Sequence, residues 1–354
     1  MDLHKLLQLV IDKNASDLHL LPKYYPTIRV SGELYQMTTL QMVAEEESTK
    51  MLLSILNDEQ KESLLANREM DIAYAYSDYR FRINMYFAQG SLCGSFRLIP
   101  SRIRTIEELN IPAFLKQCVD FRQGLVLLTG PTGEGKSTTL AAIINEINNK
   151  YAKHIITVED PVEYVYPKSK SIISQRELHQ DTHSWPMALK SALREDPDVI
   201  LVGEMRDFDT ISLALTAAET GHLVFSTLHT NSAPESIDRI IDIFPPHQQN
   251  QVKNQLSTVL RMVITQRLLP RQNKIDRVPA VEILVNNTAV ATTIREGKTY
   301  LISNILETTE GEGMLLFEKH LLSLHRAGMI TKETAYSYAI RPKELERFIK
   351  INRV

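Results

Sequence analysis

The sequence predicts an α/β protein in which a parallel-sheet domain is preceded by a smaller α+β domain. Three observations predict it. From Gly124 onward, short and continuously apolar runs, Leu125 to Leu128, Ile155 to Val158, Val199 to Val202 and Leu223 to Phe225, each end at a polar motif. Helical segments such as Ser137 to Asn148 and Thr210 to Thr220 separate them, which is the pattern of buried parallel strands joined by crossover helices. Residues 1 to 99 instead alternate short helices with period-two strands and tight turns. The length, 354 residues, suits about two domains.

Taken in order, Leu3, Leu6, Leu7, Val10 and Ile11 predict an amphipathic first helix. A β-type run from Thr27 to Val30 ends in a turn at Ser31-Gly32, and a helical stretch follows near Glu45 to Leu65. Strands are expected at Asp71 to Tyr76, Tyr79 to Phe87 and Ser91 to Leu98, with Ser77-Asp78 and Gln89-Gly90 turning between them. Pro100 and Pro112 lie around a short expected helix, Ile106 to Leu109, and this stretch is the expected linker. The domains then run over 1–99 and 113–354, with the linker at 100–112. From about Pro245 the chain reads as mostly helical, at Gln248 to Leu269, Leu315 to Ala327, Lys332 to Ala339 and Pro342 to Ile349.

With 43% hydrophobic and 23% charged residues, the chain can bury a large core, which excludes a disordered tail. A formal net charge of −3 provides no global field to draw in nucleic acid. Cys93 and Cys118 stand alone, so neither a disulfide framework nor a cysteine zinc site is expected. There is no signal-peptide pattern at the N-terminus and no apolar run near the ~18 residues of a membrane span. A cytoplasmic protein is expected.

The strongest motif is Gly130-Pro131-Thr132-Gly133-Glu134-Gly135-Lys136-Ser137-Thr138, a GxxxxGK[ST] sequence between an apolar strand and a helix. Its glycines let backbone N–H groups converge on phosphate oxygens. The helix starting near Lys136 adds the positive end of its dipole; Lys136 is expected to reach the β- and γ-phosphates and Ser137 to ligate magnesium. A second acidic strand end is needed beside such a loop, and Val199 to Val202 followed by Gly203-Glu204 supplies it. After Ile155 to Val158 come Glu159, Asp160 and Glu163, where a carboxylate is placed to polarise the attacking water, a plain charged loop being the competing reading. Gly221-His222 and Ser226 to Thr230 bracket another strand with His222 and His229; these sense phosphate or orient water, unless they are ordinary structural histidines.

These boxes, with Ala15 to Leu20, Leu193 to Asp207 and Thr216 to Thr230, resemble the PilT family over nearly the whole chain. PilT proteins are hexameric ATPases that retract type IV pili, within the larger class of secretion ATPases. The resemblance implies a PAS-like N-terminal domain, a RecA-like ATPase domain and a ring of six subunits using ATP and Mg2+. By matching position, Glu163 looks like the catalytic glutamate and Glu204 like the Walker B glutamate and metal-site acid. His222 and His229 fall on the family's histidine box. Arg80, Arg82 and Arg97 resemble arginines that reach the phosphates, and Arg176, Arg194, Arg206 and Arg239 also match family arginines.

Two departures stand out. Glu134 replaces the usual serine of the loop, bringing a carboxylate near the phosphates, and its side chain is expected to face solvent. The AIRN-like motif keeps only its Ile294 to Lys298 end, which leaves hydrolysis more secure than retraction. Expected partners are further copies of the chain, an inner-membrane pilus platform protein at the cytoplasmic face and a second retraction ATPase. Competing readings are a PilU-like accessory, a secretion or assembly motor, and an ATP-binding regulatory ring with little turnover. The two isolated cysteines argue against the zinc-bearing assembly motors.

Overall fold

The computed structural model describes residues 2–30, 32–99, 102–273, 276–309 and 313–351; Ser31 of the expected turn and Pro100 of the expected linker lie outside them. The chain divides into two compact units, residues 1–102 with Pro161–Val165, and residues 103–160 with 166–354.

In the first unit, α1 (Leu3–Asp12) leads into β1 (Asp17–Leu20), β2 (Thr27–Val30) and β3 (Glu33–Gln36). Then come α2 (Glu45–Leu53), α3 (Asp58–Asn67), β4 (Glu69–Tyr76), β5 (Tyr79–Ala88) and β6 (Ser91–Ile99). The six strands form an antiparallel sheet in the order β3-β2-β1-β6-β5-β4. Period-two alternation sorts its faces: Leu18, Leu20, Phe81, Ile83, Met85 and Phe96 are buried with Leu6, Leu7 and Leu52 of the helices. The opposite face carries charge in one transverse row, where Arg82 lies opposite Arg97, Arg97 opposite Asp17, and Asp17 opposite Arg29.

The helix expected over 45–65 is two helices. Asn57 divides them, because its side chain accepts from the Gln60 amide while Gln60 Oε1 accepts from the Asn57 amide, a capping box that starts a new helix.

The second unit begins with a 3₁₀ segment, Ala113–Asp120, then β7 (Gly124–Thr129), α4 (Lys136–Lys150), β8 (His154–Glu159) and β9 (Ile172–Glu177). It continues through α5 (Trp185–Ala192), β10 (Val199–Val202), α6 (Phe208–Glu219), β11 (Leu223–Leu228), α7 (Ala233–Asp242) and α8 (Pro246–Val259). A hairpin of β12 (Leu260–Pro270) and β13 (Arg277–Val285) follows, and then α9 (Thr288–Arg295), α10 (Ile302–Thr308), α11 (Phe317–Arg326), α12 (Lys332–Tyr338) and α13 (Pro342–Ile351). The sheet order is β13-β12-β7-β11-β10-β8-β9, parallel except for β13. Leu125 and Leu127 of β7 face a core shared with α6, α7 and α8, while Val126 and Leu128 face one shared with α4 and the 3₁₀ segment. Both faces being covered is why these strands read as unbroken apolar runs.

Two sequence expectations are corrected here. Residues 106–109 form a turn rather than a helix, with Thr105 and Glu108 exchanging backbone-to-side-chain hydrogen bonds of 2.9 and 3.2 Å. The helix expected over 248–269 ends at Val259, and Leu260 onward is a strand whose Val263, Ile264 and Thr265 suit the slot between β7 and β13.

The C-terminal helices are fixed to this hairpin by buried charge. Glu282 on β13 and Glu318 on α11, both fully buried, share the Arg341 guanidinium at 3.2 and 3.0 Å. Glu282 also accepts from the Ala233 amide at the head of α7 (3.1 Å), and Glu318 accepts from the Arg341 amide (2.7 Å). Burial raises the Glu282 carboxyl above its ordinary range, although Arg341 works against that. Nearby, buried His320 accepts from the Val281 amide at 2.9 Å, and burial pushes its imidazole down to about 4.

Candidate nucleotide-binding site

Strand β7 ends at Thr129, and the chain turns away at once into the glycine-rich loop. Gly130 has φ +139°, and a Cβ there would meet the Gln266 carbonyl oxygen at 2.3 Å, so only glycine fits between the loop and β12. Gly135, at φ +77°, hands the loop to α4, whose first residues are Lys136, Ser137 and Thr138. Lys136 is buried and its Nζ donates to the Gly130 and Pro131 carbonyls at 2.7 and 2.8 Å, which holds the ammonium inside the curve of the loop. Thr132, Gly133 and Ser137 are exposed.

The acidic end of β10 is tied to this loop through a histidine. Glu204 Oε1 lies 3.0 Å from His229 Nε2, and His229 Nδ1 lies 3.3 Å from Thr132 Oγ1. The other carboxylate oxygen takes Arg206 Nη2 at 2.7 Å. Burial pushes the Glu204 carboxyl upward, but Arg206 and His229 outweigh it and hold it below the ordinary range. The strand between, β11, ends at Leu228 and so delivers His229 to the carboxyl edge of the sheet, where ligands of parallel α/β folds bind. Ser226 and Thr227, still within β11, are buried.

Other candidates lie on other elements. His222 precedes β11, whose Leu223 pairs with Gly124 at the start of β7. It therefore lies at the opposite edge of the sheet from the loop, roughly 16 Å away at the strand rise. There it contacts the Ala217 carbonyl (3.0 Å) and Thr220 Oγ1 (3.2 Å), so the expectation that it joins His229 at the phosphates of this chain is corrected. Glu159 is held by Thr157 Oγ1 at 2.6 Å and Gln175 Nε2 at 3.2 Å. Glu163 is half-buried in Pro161–Val165, the segment that belongs to the first unit. In that unit, Arg97 Nε lies 2.9 Å from Asp17 and Arg82 Nε 3.7 Å from Asp71, while Arg80 is half-buried. Arg176 pairs with Glu195 at 3.3 Å, and Arg194 and Arg239 are exposed.

Glu134 does not face solvent as expected. Its carboxylate accepts from the Leu268 amide of β12, and its carbonyl accepts from Gln266 Nε2 at 2.6 Å. Gln266, 1% exposed, also receives the Thr139 hydroxyl at 2.8 Å, and Thr129 Oγ1 meets Thr265 Oγ1 at 2.9 Å. Sequence reasoning did not find these braces. Their one signal is the polar Thr265-Gln266 pair inside a long apolar run.

Among the described residues no cluster of three or more His, Cys, Asp or Glu side chains is placed to hold a metal by itself. A magnesium ion that takes most of its ligands from phosphates and water would fit such a site, with Ser137 exposed at the head of α4 and Glu204 just after β10, one strand removed from β7.

A glycine loop leaving an inner parallel strand, with an acidic strand end linked to it, is the construction of a P-loop nucleoside triphosphatase. Residues 1–337 match the family described as Type II/IV secretion system protein, and the chain belongs to that family. It is similar to a protein of Pseudomonas aeruginosa described as a type IV pilus retraction ATPase, PilT, at 42% identity over 97% of this chain and 99% of that one. It is also similar to a twitching motility protein of Neisseria gonorrhoeae, at 48% identity over 88% of this chain and 83% of that one. A crystal structure of the pilus retraction motor PilT with bound ADP superposes with a TM-score of 0.91, at 41% identity, over 98% of this chain and 99% of that one.

Proposed function

We propose that this chain is an ATP-hydrolysing motor that works as a homohexamer to retract type IV pili. The observation that carries the catalytic part is the relay Thr132–His229–Glu204–Arg206, which couples the phosphate loop to the acidic strand end. Loop amides and Lys136 bind the β- and γ-phosphates, and His229, touching both Thr132 and Glu204, is set to register whether the γ-phosphate is present. Ser137 and Glu204 would hold a magnesium ion together with the phosphates, and that ion would supply charge neutralisation. Glu163 serves as the carboxylate that takes the proton of the attacking water, and Arg82 and Arg97, with Arg80, supply guanidinium groups for the charge that spreads over the γ-oxygens. Residues 100–112 act as the hinge between the domains.

The similarity to retraction proteins over nearly whole chains supports pilus retraction as the work done. No helix among the described residues is long and apolar enough to cross a membrane, which suits action at the cytoplasmic face against a platform protein. Glu163→Gln tests both parts. The purified variant is expected to bind ATP and to lose about a hundredfold or more in turnover. Cells with it as their only copy are expected to carry excess pili and lose surface motility. Normal turnover rejects the catalytic assignment, and cells without pili point to assembly instead.

A further inference from the structure

We propose that Glu134 is a positioning residue: it stitches the phosphate loop to β12 and so strengthens nucleotide binding, instead of weakening it by repulsion. The proposal rests on the nucleotide-binding reading above. A carboxylate inside a phosphate loop is electrostatically unfavourable if it faces the phosphates, so its direction decides the sign of its effect.

Strand pairing explains why the side chain goes where it does. The β7–β12 ladder ends at Thr129–Thr265, because β7 turns into the loop at Gly130. Beyond that point β12 continues without a strand on this side, and a backbone amide left there needs an acceptor. The Leu268 amide finds one in the Glu134 carboxylate.

The main chain of the same residue is held as well, by Gln266 Nε2 on the Glu134 carbonyl at 2.6 Å. Gln266 in turn is fixed by Thr139 Oγ1 at 2.8 Å, one turn into α4. Thus side chain and backbone of Glu134 are anchored two residues apart on one strand. A Cβ built on the preceding Gly133 would meet nothing within 4 Å, so that residue adds no side-chain contact of its own to the loop. A serine here would end two bonds short of the atom that reaches Leu268. Hydrogen bonds to a charged acceptor are about twice as strong as neutral ones, so the glutamate gives the loop a firm tether. A tethered loop keeps its amides convergent before nucleotide arrives, and ordering paid in advance appears as affinity.

The sign of the effect makes the test decisive. Dissociation constants for a fluorescent ADP are measured on the full chain and on Glu134→Ala and Glu134→Gln, with thermal midpoints to verify folding and with KM and kcat for ATP alongside. Glu134→Ala is expected to weaken ADP binding about tenfold, equivalent to about 1.4 kcal/mol. KM should rise with it while kcat changes by less than about threefold, because the lost interaction is the same in ground and transition states. Glu134→Gln keeps a carbonyl acceptor for the Leu268 amide and is expected to retain most of the affinity, within about threefold of the natural chain. Unchanged or tighter ADP binding by Glu134→Ala overturns the proposal, as does a Gln variant as weak as the Ala variant. If the natural chain binds no ADP, the nucleotide reading falls together with the tether; if it binds and the variants behave otherwise, only the tether falls.

Discussion

Replacing Arg341 by methionine isolates the energetic role of the buried charge cluster. The substitution keeps much of the volume and removes the one cation between Glu282 and Glu318, whose side chains have 0% exposure. Each carboxylate would retain one backbone donor, Ala233 for Glu282 and Arg341 itself for Glu318, but their mutual repulsion would be unscreened. Removing one partner of a buried ion pair costs about 3–5 kcal/mol. In a unit of this size, each kcal/mol moves the melting midpoint by about 2–4 °C, so a fall of roughly 10 °C is expected at pH 8.

The pH dependence has a definite sign. Glu282 is already raised in the folded protein by burial, and losing Arg341 raises it further. A carboxyl raised on folding is destabilising where it must be ionised, above its folded pKa, and the penalty is relieved as the folded state takes up a proton at lower pH. The deficit of Arg341→Met should therefore shrink as the pH is lowered from about 8 toward the ordinary carboxylate range, as followed by differential scanning calorimetry of both proteins. A midpoint within about 2 °C of the natural chain at pH 8, or a deficit that grows on acidification, would refute the reasoning.

Two further outcomes are expected. His320, lowered from 6.5 to about 4 by burial, favours folding while neutral, so its contribution is whole above pH 6.5 and is lost as the pH falls through that window. The full shift corresponds to about 3 kcal/mol, and urea unfolding of His320→Asn, which keeps an acceptor for Val281, should show a shallower loss between about pH 7 and pH 4.5; an unchanged slope would count against it. Gly130→Ala places a Cβ 2.3 Å from the Gln266 carbonyl at a φ of +139°. It is expected to cost about 2–4 kcal/mol in stability and to abolish nucleotide binding; an alanine variant that binds ADP normally would show that the loop has room after all.

The parts of the fold that were legible in the sequence share one physical cause. Strands β7, β8, β10 and β11 are covered on both faces, so their residues are mostly apolar, and each is followed by a polar segment at the carboxyl edge of the sheet. The loop and Glu204 followed directly. Strands β12 and β13 were not legible, because α8 runs straight into β12 without a glycine or proline between Val259 and Leu260, and the join looks like one long helix. Gln266 was hidden with them. His222 and His229 look equivalent as flanks of one strand, yet a strand has two ends some six residues apart, and only the direction of β11 beside β7 separates them. The reach of Glu134 to Leu268 spans 134 positions in the chain and depends on where β7 stops, which no local pattern encodes.

The membership of Pro161–Val165 in the first unit has a covalent consequence. The chain passes from one unit to the other at 102/103, at 160/161 and again at 165/166, so the two are joined by three peptide connections instead of one. No single cleavage can release either unit whole, and a fragment ending at residue 112 would lack five residues that complete the smaller one. The middle excursion starts two residues after the end of β8 and carries Glu163 with it, so the backbone that follows this strand is itself a connection between the units.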